Sequence, residues 1–152
     1  MAELLLVMVL VSLLFTVVFV YVNPNEARQK ARDSKRITDI VVLEQAVNEY
    51  VLANKSYPGS LNTLRISNVL PVGSTSLQNA DDGWIGADLS AFTSRMPTDP
   101  TNDATYHYSY YHNNTSFELN AKLEILTSEM TNDGGNDPNT YEVGNNLLLI
   151  SP

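Results

Sequence analysis

Four oxygen-bearing side chains lie close together near the C-terminal end: Asp133, Asn136, Asp137 and, just beyond, Glu142. Gly134 and Gly135 sit among them and give the backbone the freedom to draw them together. Carboxylate and amide oxygens are hard ligands, and about six to eight of them suit calcium. The spacing is not that of an EF-hand, whose acidic ligands alternate. The same residues also make an ordinary polar turn, and the sequence leaves both readings open. No cofactor is required elsewhere; calcium at this loop is the one candidate.

A second group is aromatic. Trp84, Tyr106, Tyr108, Tyr110 and Tyr111 could line a sugar- or surface-binding patch. A Tyr at every second position is more often half-buried sheet packing with hydroxyls at the rim, which is the favoured reading. His107 and His112 would face opposite sides of a straight strand, so they make no metal or acid–base pair. Ser, His and Asp occur without any nucleophile motif around them. The chain has no cysteine, which excludes disulfides, thiolate catalysis and Cys-based metal sites. The sequence predicts a protein that is not an enzyme.

The charged residues are unevenly placed. Five of the nine basic residues fall in one stretch: Arg28, Lys30, Arg32, Lys35 and Arg36. Residues 1–36 carry net +2 and residues 37–152 carry net -10. The acidic part would repel phosphate, so no specific nucleic acid is expected as a partner. The basic stretch could meet lipid headgroups. In an assembly it would instead meet the acidic parts of neighbouring copies.

The first element is apolar. Leu4 to Val22 is interrupted only by Ser12 and Thr16. As a helix this run spans ~28 Å, close to a hydrocarbon core. It has an acidic start and no small-residue cleavage site, so it reads as a retained membrane helix over residues 1–23. Glu3 is the exception inside it. Its carboxylate can sit at headgroup level near the positive helix end, or pair with a cation of another copy. The basic stretch would hold the acidic domain in the cytoplasm, unless a basic leader once preceded the chain.

Asn23-Pro24 marks a break. A second, amphipathic helix follows over residues 24–53, with Ile40, Leu43, Val47 and Tyr50 on one stripe. Its polar beginning, Glu26 to Arg36, should stand clear of the domain or pack on charge. Residues 54–152 form a globular head. Pro71 to Gly83 reads as a loop, Ala87 to Arg95 as a short helix, and Ala104 to His112 with Phe117 to Ile125 as a β-hairpin. Tyr141 to Ile150 reads as a last strand, bent near Gly144. The fold class is α+β: a long N-terminal helix on a small antiparallel sheet, shaped like a ladle.

Three stretches now carry a resemblance. Met1-Ala2-Glu3-Leu4-Leu5-Leu6-Val7 looks like the mature start of the type IV pilins and type II secretion pseudopilins. Asp39 to Tyr50, ending in Ser56-Tyr57-Pro58, is similar to that family's helix and Tyr-Pro signature. Met96-Pro97-Thr98-Asp99-Pro100 resembles its Leu-Pro-x-Asp-Pro element before the sheet. The resemblance is closest to the bacterial major type IV pilins. There are departures. Only Met1 and Ala2 precede Glu3, fewer than usual, and Pro24 lies about one helical turn further on than the family's proline. Val17, Val18, Val20 and Val22 favour extended backbone, so any unwound stretch should end near Pro24.

The resemblance implies a leader cut by a prepilin peptidase, methylation, and residence in the inner membrane before assembly. It gives Glu3 an α-amino partner on a neighbouring copy. It implies a helical homopolymer built by pilus assembly machinery. The leading expectation is a subunit of an extracellular pilus filament serving adhesion, motility or uptake. The alternatives are a major pseudopilin of type II secretion and, from another class, a single-pass anchored binding domain. Major pseudopilins bind calcium in a corresponding acidic loop, which adds to the reading of Asp133, Asn136, Asp137 and Glu142. The expected assembly residues are Glu3, Pro24, Arg28, Lys30, Arg32, Lys35 and Arg36. On this reading, reversing Lys35 and Arg36 to Glu impairs assembly without unfolding the head; intact filaments from that variant would contradict it.

Overall fold

The computed structural model describes residues 2–21 and 23–152, and all their side chains except those of residues 17–21. Helix α1 covers Ala2–Tyr21 and helix α2 covers Pro24–Asn54. Between them Asn23 is the N-cap of α2, and its side-chain oxygen accepts from the Asn25 and Glu26 amides at 3.2 and 3.4 Å. Pro24 follows at the first helical turn, where its missing N–H costs nothing. The break expected at Asn23-Pro24 is thus a capped helix start. Val22 and Met1 lie outside the described residues, as do the Val17, Val18 and Val20 side chains, so the unwinding reading is not addressed.

Every described side chain of α1, residues 2–16, is exposed, Leu4 to Phe15 among them. Among the described residues no helix is long and apolar enough to cross a membrane. Those side chains stop at Thr16, and the expected span over residues 1–23 continues beyond them.

In α2 the stripe behaves as the periodicity predicts. Ile40, Leu43, Ala46 and Val47 are buried, and Tyr50 and Val51 pack at its margin. The helix ends at Lys55, which takes a left-handed conformation and returns its amide to the Val51 carbonyl.

The sheet has four antiparallel strands in sequence order. They are β1 (Arg65–Ile66), β2 (Tyr108–His112), β3 (Phe117–Ala121) and β4 (Tyr141–Gly144). A short helix, α3 (Thr127–Thr131), interrupts the chain between β3 and β4. The hairpin turn is held by Asn113, whose side chain accepts from the Thr115 and Ser116 amides at 2.8 Å each. Tyr108, Tyr110, Phe117, Leu119 and Ala121 pack on the α2 stripe and form one core with Trp84, Ile85, Leu89 and Met96.

Several expectations change. Residues 87–95 form turns rather than a helix. Asp88 accepts from the Ser90 amide, and the Leu89 amide goes to the Ala80 carbonyl, so local and tertiary bonds take the place of helical ones. β2 starts at Tyr108, because Asp103 captures the Thr105 and Tyr106 amides in a turn. β3 ends at Ala121, since the next amides are drawn to α2 (below). β4 stops at Gly144, where a Cβ would overlap the Phe117 carbonyl oxygen. The chain then crosses the sheet instead of extending it.

The aromatic group is packing, not a patch. Trp84, Tyr108 and Tyr110 are fully buried. The Trp84 indole donates to the Pro97 carbonyl at 2.8 Å, Tyr108 to Asp39 at 2.9 Å, and Tyr110 to the Pro58 carbonyl at 3.1 Å. Only Tyr106 and Tyr111 keep partial exposure. Because Trp84 is the single tryptophan, its fluorescence reports on this site alone. Its emission should be blue-shifted in the folded chain and move to the red on unfolding. Trp84→Ala should cost about 3–5 kcal/mol in denaturant unfolding; a loss near zero would return Trp84 to the surface.

Candidate functional site

The polar start of α2 does not stand clear of the head. It packs on charge. Arg36 is fully buried. Its Nε donates to Asp99 Oδ2 at 2.6 Å and its Nη2 to Asp99 Oδ1 at 3.1 Å, a two-pronged pair. Nη1 donates to Asp33 Oδ1 at 2.9 Å and to Glu124 Oε1 at 2.7 Å, and Nη2 also reaches the Thr101 hydroxyl at 3.2 Å. The guanidinium carbon lies 4.6 Å from the centre of the Tyr106 ring.

Around this centre the partners are themselves held. Asp33, also fully buried, accepts from the Glu124, Ile125 and Leu126 amides at 2.8 to 3.1 Å. That capture ends β3. Asp99 also accepts from the Thr101 amide at 2.7 Å. Glu124 also accepts two bonds from Arg32, at 2.6 and 2.5 Å. Lys35 pairs with Asp39 one turn on, at 2.9 Å. Three segments distant in sequence thus meet on one face of α2: residues 33–39, 99–101 and 124–126.

The charges tune one another. Burial opposes the Arg36 charge, but the bonds it donates to Asp99, Glu124 and Asp33 together outweigh that and hold the guanidinium protonated. The Arg32 guanidinium, with Arg36 behind it, brings the Glu124 pKa down to about 2 against the opposing effect of burial. Burial and then the Asp39 charge push the Tyr108 hydroxyl up.

The expected assembly residues therefore divide. Arg32, Lys35 and Arg36 are engaged inside the subunit. Arg28 and Lys30 are exposed on α2, and Glu3 is exposed in the first turn of α1. The proposed α-amino partner of Glu3 at Met1 lies outside the described residues. Sequence reasoning missed Asp33, Asp99 and Glu124 as partners of Arg36. The only signal was the Met96 to Pro100 element, whose Asp99 sat in a motif with no assigned contact.

The acidic loop also divides. Asp133 gives one oxygen to the Gly135 amide at 2.9 Å and the other to the Glu142 amide at 2.8 Å. Asp137 Oδ1 accepts from Asn139. These aspartates shape the turns. Among the described residues no group of three or more His, Asp or Glu is placed to hold a metal ion. Glu142 and Asn136 differ from the aspartates: Glu142 is buried on β4, and the Asn136 side-chain oxygen is enclosed without a partner.

A family model described as "Type II secretion system (T2SS), protein G" matches residues 23–122. The stretch runs from the cap of α2 through the Arg36 centre to the end of β3. No curated protein and no solved structure gave a significant match. The match covers more than half of the chain, so the chain belongs to this family of major pseudopilins within the type IV pilin-like proteins. It is a structural, non-enzymatic protein.

Two outcomes follow from the buried cation. Arg36→Ala should destabilise the head by about 3–5 kcal/mol, because it strands buried carboxylates. This replaces the expectation that reversing Lys35 and Arg36 spares the fold. Glu124 has a folded pKa below its ordinary 4.5. Its contribution is present above that value and lost as pH falls toward about 2. Glu124→Gln should lower stability at pH 7 and flatten its pH dependence between about 4.5 and 2, as read by denaturant titration at each pH.

Proposed function

We propose that this pseudopilin is the major subunit of a secretion pseudopilus, anchored first in the inner membrane and then polymerised toward the periplasm. The observation that carries this is the family match, which runs through the whole docking region of α2. It favours the secretion pseudopilus over the extracellular surface pilus that the sequence first suggested. A membrane-bound monomer with a binding role has no observation behind it.

Exposed apolar side chains support a polymer. Leu4 to Phe15 are bare in the single chain. A helix of this kind needs a host on all sides, lipid before assembly and other copies of α1 after it. Glu3 would then be the polar contact inside that bundle, and Pro24 the start of the part of the stem that leaves it. The partners are copies of this chain and the secretion machinery.

Electrostatics supply the register. The clasp around Arg36 occupies three of the five basic residues of the stem. Arg28 and Lys30 remain exposed, while the head shows Asp81, Asp88 and Glu129 to solvent. Opposite charges on stem and head would steer neighbouring copies into contact and reject misaligned ones.

Expression of the chain with its secretion machinery, followed by shearing and electron microscopy, tests the reading. Short or overproduction-dependent filaments restricted to the cell envelope would support it; long fibres on the cell surface without any secretion defect in a deletion strain would return the surface-pilus reading. The double variant Arg28→Glu, Lys30→Glu should cut the filament fraction by about tenfold at low salt, with the melting temperature unchanged. Normal filaments from that variant would remove the stem charges from the interface.

A further inference from the structure

Arg65 of β1 is placed very differently from Arg36. Its Nη2 donates to the Ser60 hydroxyl at 3.1 Å, and its Nε is enclosed without a partner. Among the described residues no carboxylate pairs with it. A guanidinium carries several N–H donors in one plane, so most of the capacity of this one is unused. An enclosed donor without an acceptor is costly, and a charged one more so. The bare backbone of Gly86 lies beside it, since a Cβ there would stand 3.6 Å from Arg65 Nη2.

The guanidinium lines a groove of about 640 Å³ on the head, together with Asp81, Asp82 and Asp88. Asp82 gives one oxygen to the Asn79 side chain at 2.8 Å and the other to the Thr75 amide at 2.9 Å. Asp88 Oδ1 accepts from the Ser90 amide and hydroxyl at 2.9 and 2.6 Å. Those two carboxylates are held in their own turns. Asp81 is exposed and belongs to no ion pair among the described residues. The groove thus presents a cation and an anion that share one space without meeting. A simple anion would be repelled by Asp81 and a simple cation by Arg65. The occupant that fits brings one charge of each sign. At the lip Val72 is fully exposed, and Val69 and Leu70 just before it are also exposed, so the occupant finds apolar contact as well.

The stem of α2 carries a segment of that kind. Glu26 and Lys30 are both exposed, and neither belongs to an ion pair among the described residues. One turn apart, they share a face of the helix with a rise of ~6 Å between them. Ala27 and Ala31 form the adjacent row, exposed and small enough for close approach. Lys35 and Asp39 have the same spacing but are paired to each other.

We propose that the groove beside β1 receives the start of α2 from another copy of the chain, with Glu26 on Arg65, Lys30 on Asp81, and the Ala27 and Ala31 row against Val72. The contact rests on the polymer reading above and adds its register. It also fixes direction. A stem laid the other way round sets Glu26 against Asp81 and Lys30 against Arg65, and both pairs repel.

The test uses the full chain expressed with its secretion machinery. Because the chain has no cysteine, Ala27→Cys and Val72→Cys introduce its only thiols. Chains carrying both, oxidised in sheared filaments, should run as a ladder of multimers in denaturing, non-reducing electrophoresis. Chains carrying either one alone should stop at monomer or dimer. Filaments seen by electron microscopy whose doubly substituted chains stay monomeric overturn the contact and leave the polymer standing. A parent chain that forms no filament overturns both. Charge exchange is the second arm. Arg65→Glu and Glu26→Arg should each lower the cross-linked fraction about tenfold, with the melting temperature unchanged, because neither residue is held by an ion pair inside the subunit. Both changes in one chain should restore that fraction to within about twofold of the parent. A combined variant no better than the worse single variant overturns the pairing of Glu26 with Arg65.

Discussion

Arg36 carries its charge into a place that water does not reach, and the head is arranged around neutralising it. A buried guanidinium on its own would cost many kcal/mol, and Asp99, Asp33 and Glu124 must all be present to hold it. Each of those carboxylates then fixes backbone. Asp99 turns the chain that follows Pro97, and Asp33 gathers the three amides that close β3. An apolar residue of similar size would fill the space without specifying these segments. The ion pairs thus decide where the segments before β2 and after β3 meet α2, while the apolar core supplies the stabilisation.

The same arrangement divides α2 into two parts. From Arg32 onward the helix belongs to the head, first through charge and then through the stripe from Ile40 to Val47. Before Arg32 it is a largely exposed stem that continues from a helix with every described side chain exposed. Such a chain is incomplete as a monomer. Its head closes on its own core, and its stem is a surface waiting for lipid or for copies of itself. That asymmetry is what a pilin-like filament subunit requires.

Local patterns in the sequence were good guides to local structure. The 3-4-3 spacing from Ile40 to Tyr50 gave the buried face of α2, and alternation from Phe117 gave the core face of β3. What was not legible depended on distant cover. Glu118 and Asn120 read as outward-facing because nothing nearby in sequence encloses them; residues 135–150 do. Ala87 to Arg95 read as helix by composition, but Asp88 and the Ala80 carbonyl take its amides. The five basic residues read as one assembly surface. Three of them are matched by acids within the subunit, and two of those matches, Asp99 and Glu124, come from more than sixty positions away. Charge periodicity on a helix shows which side a residue is on, not which partner it finds.

On the proposed function, the charged turn of α2 builds the subunit, while the residues ahead of it build the filament. Electron cryomicroscopy of the assembled filament at side-chain resolution tests this most directly. Arg36 and Arg32 should lie on Asp99 and Glu124 of their own subunit, with Arg28 and Lys30 against acidic groups of neighbours. A map in which Arg36 or Arg32 pairs with a carboxylate of another copy would contradict it.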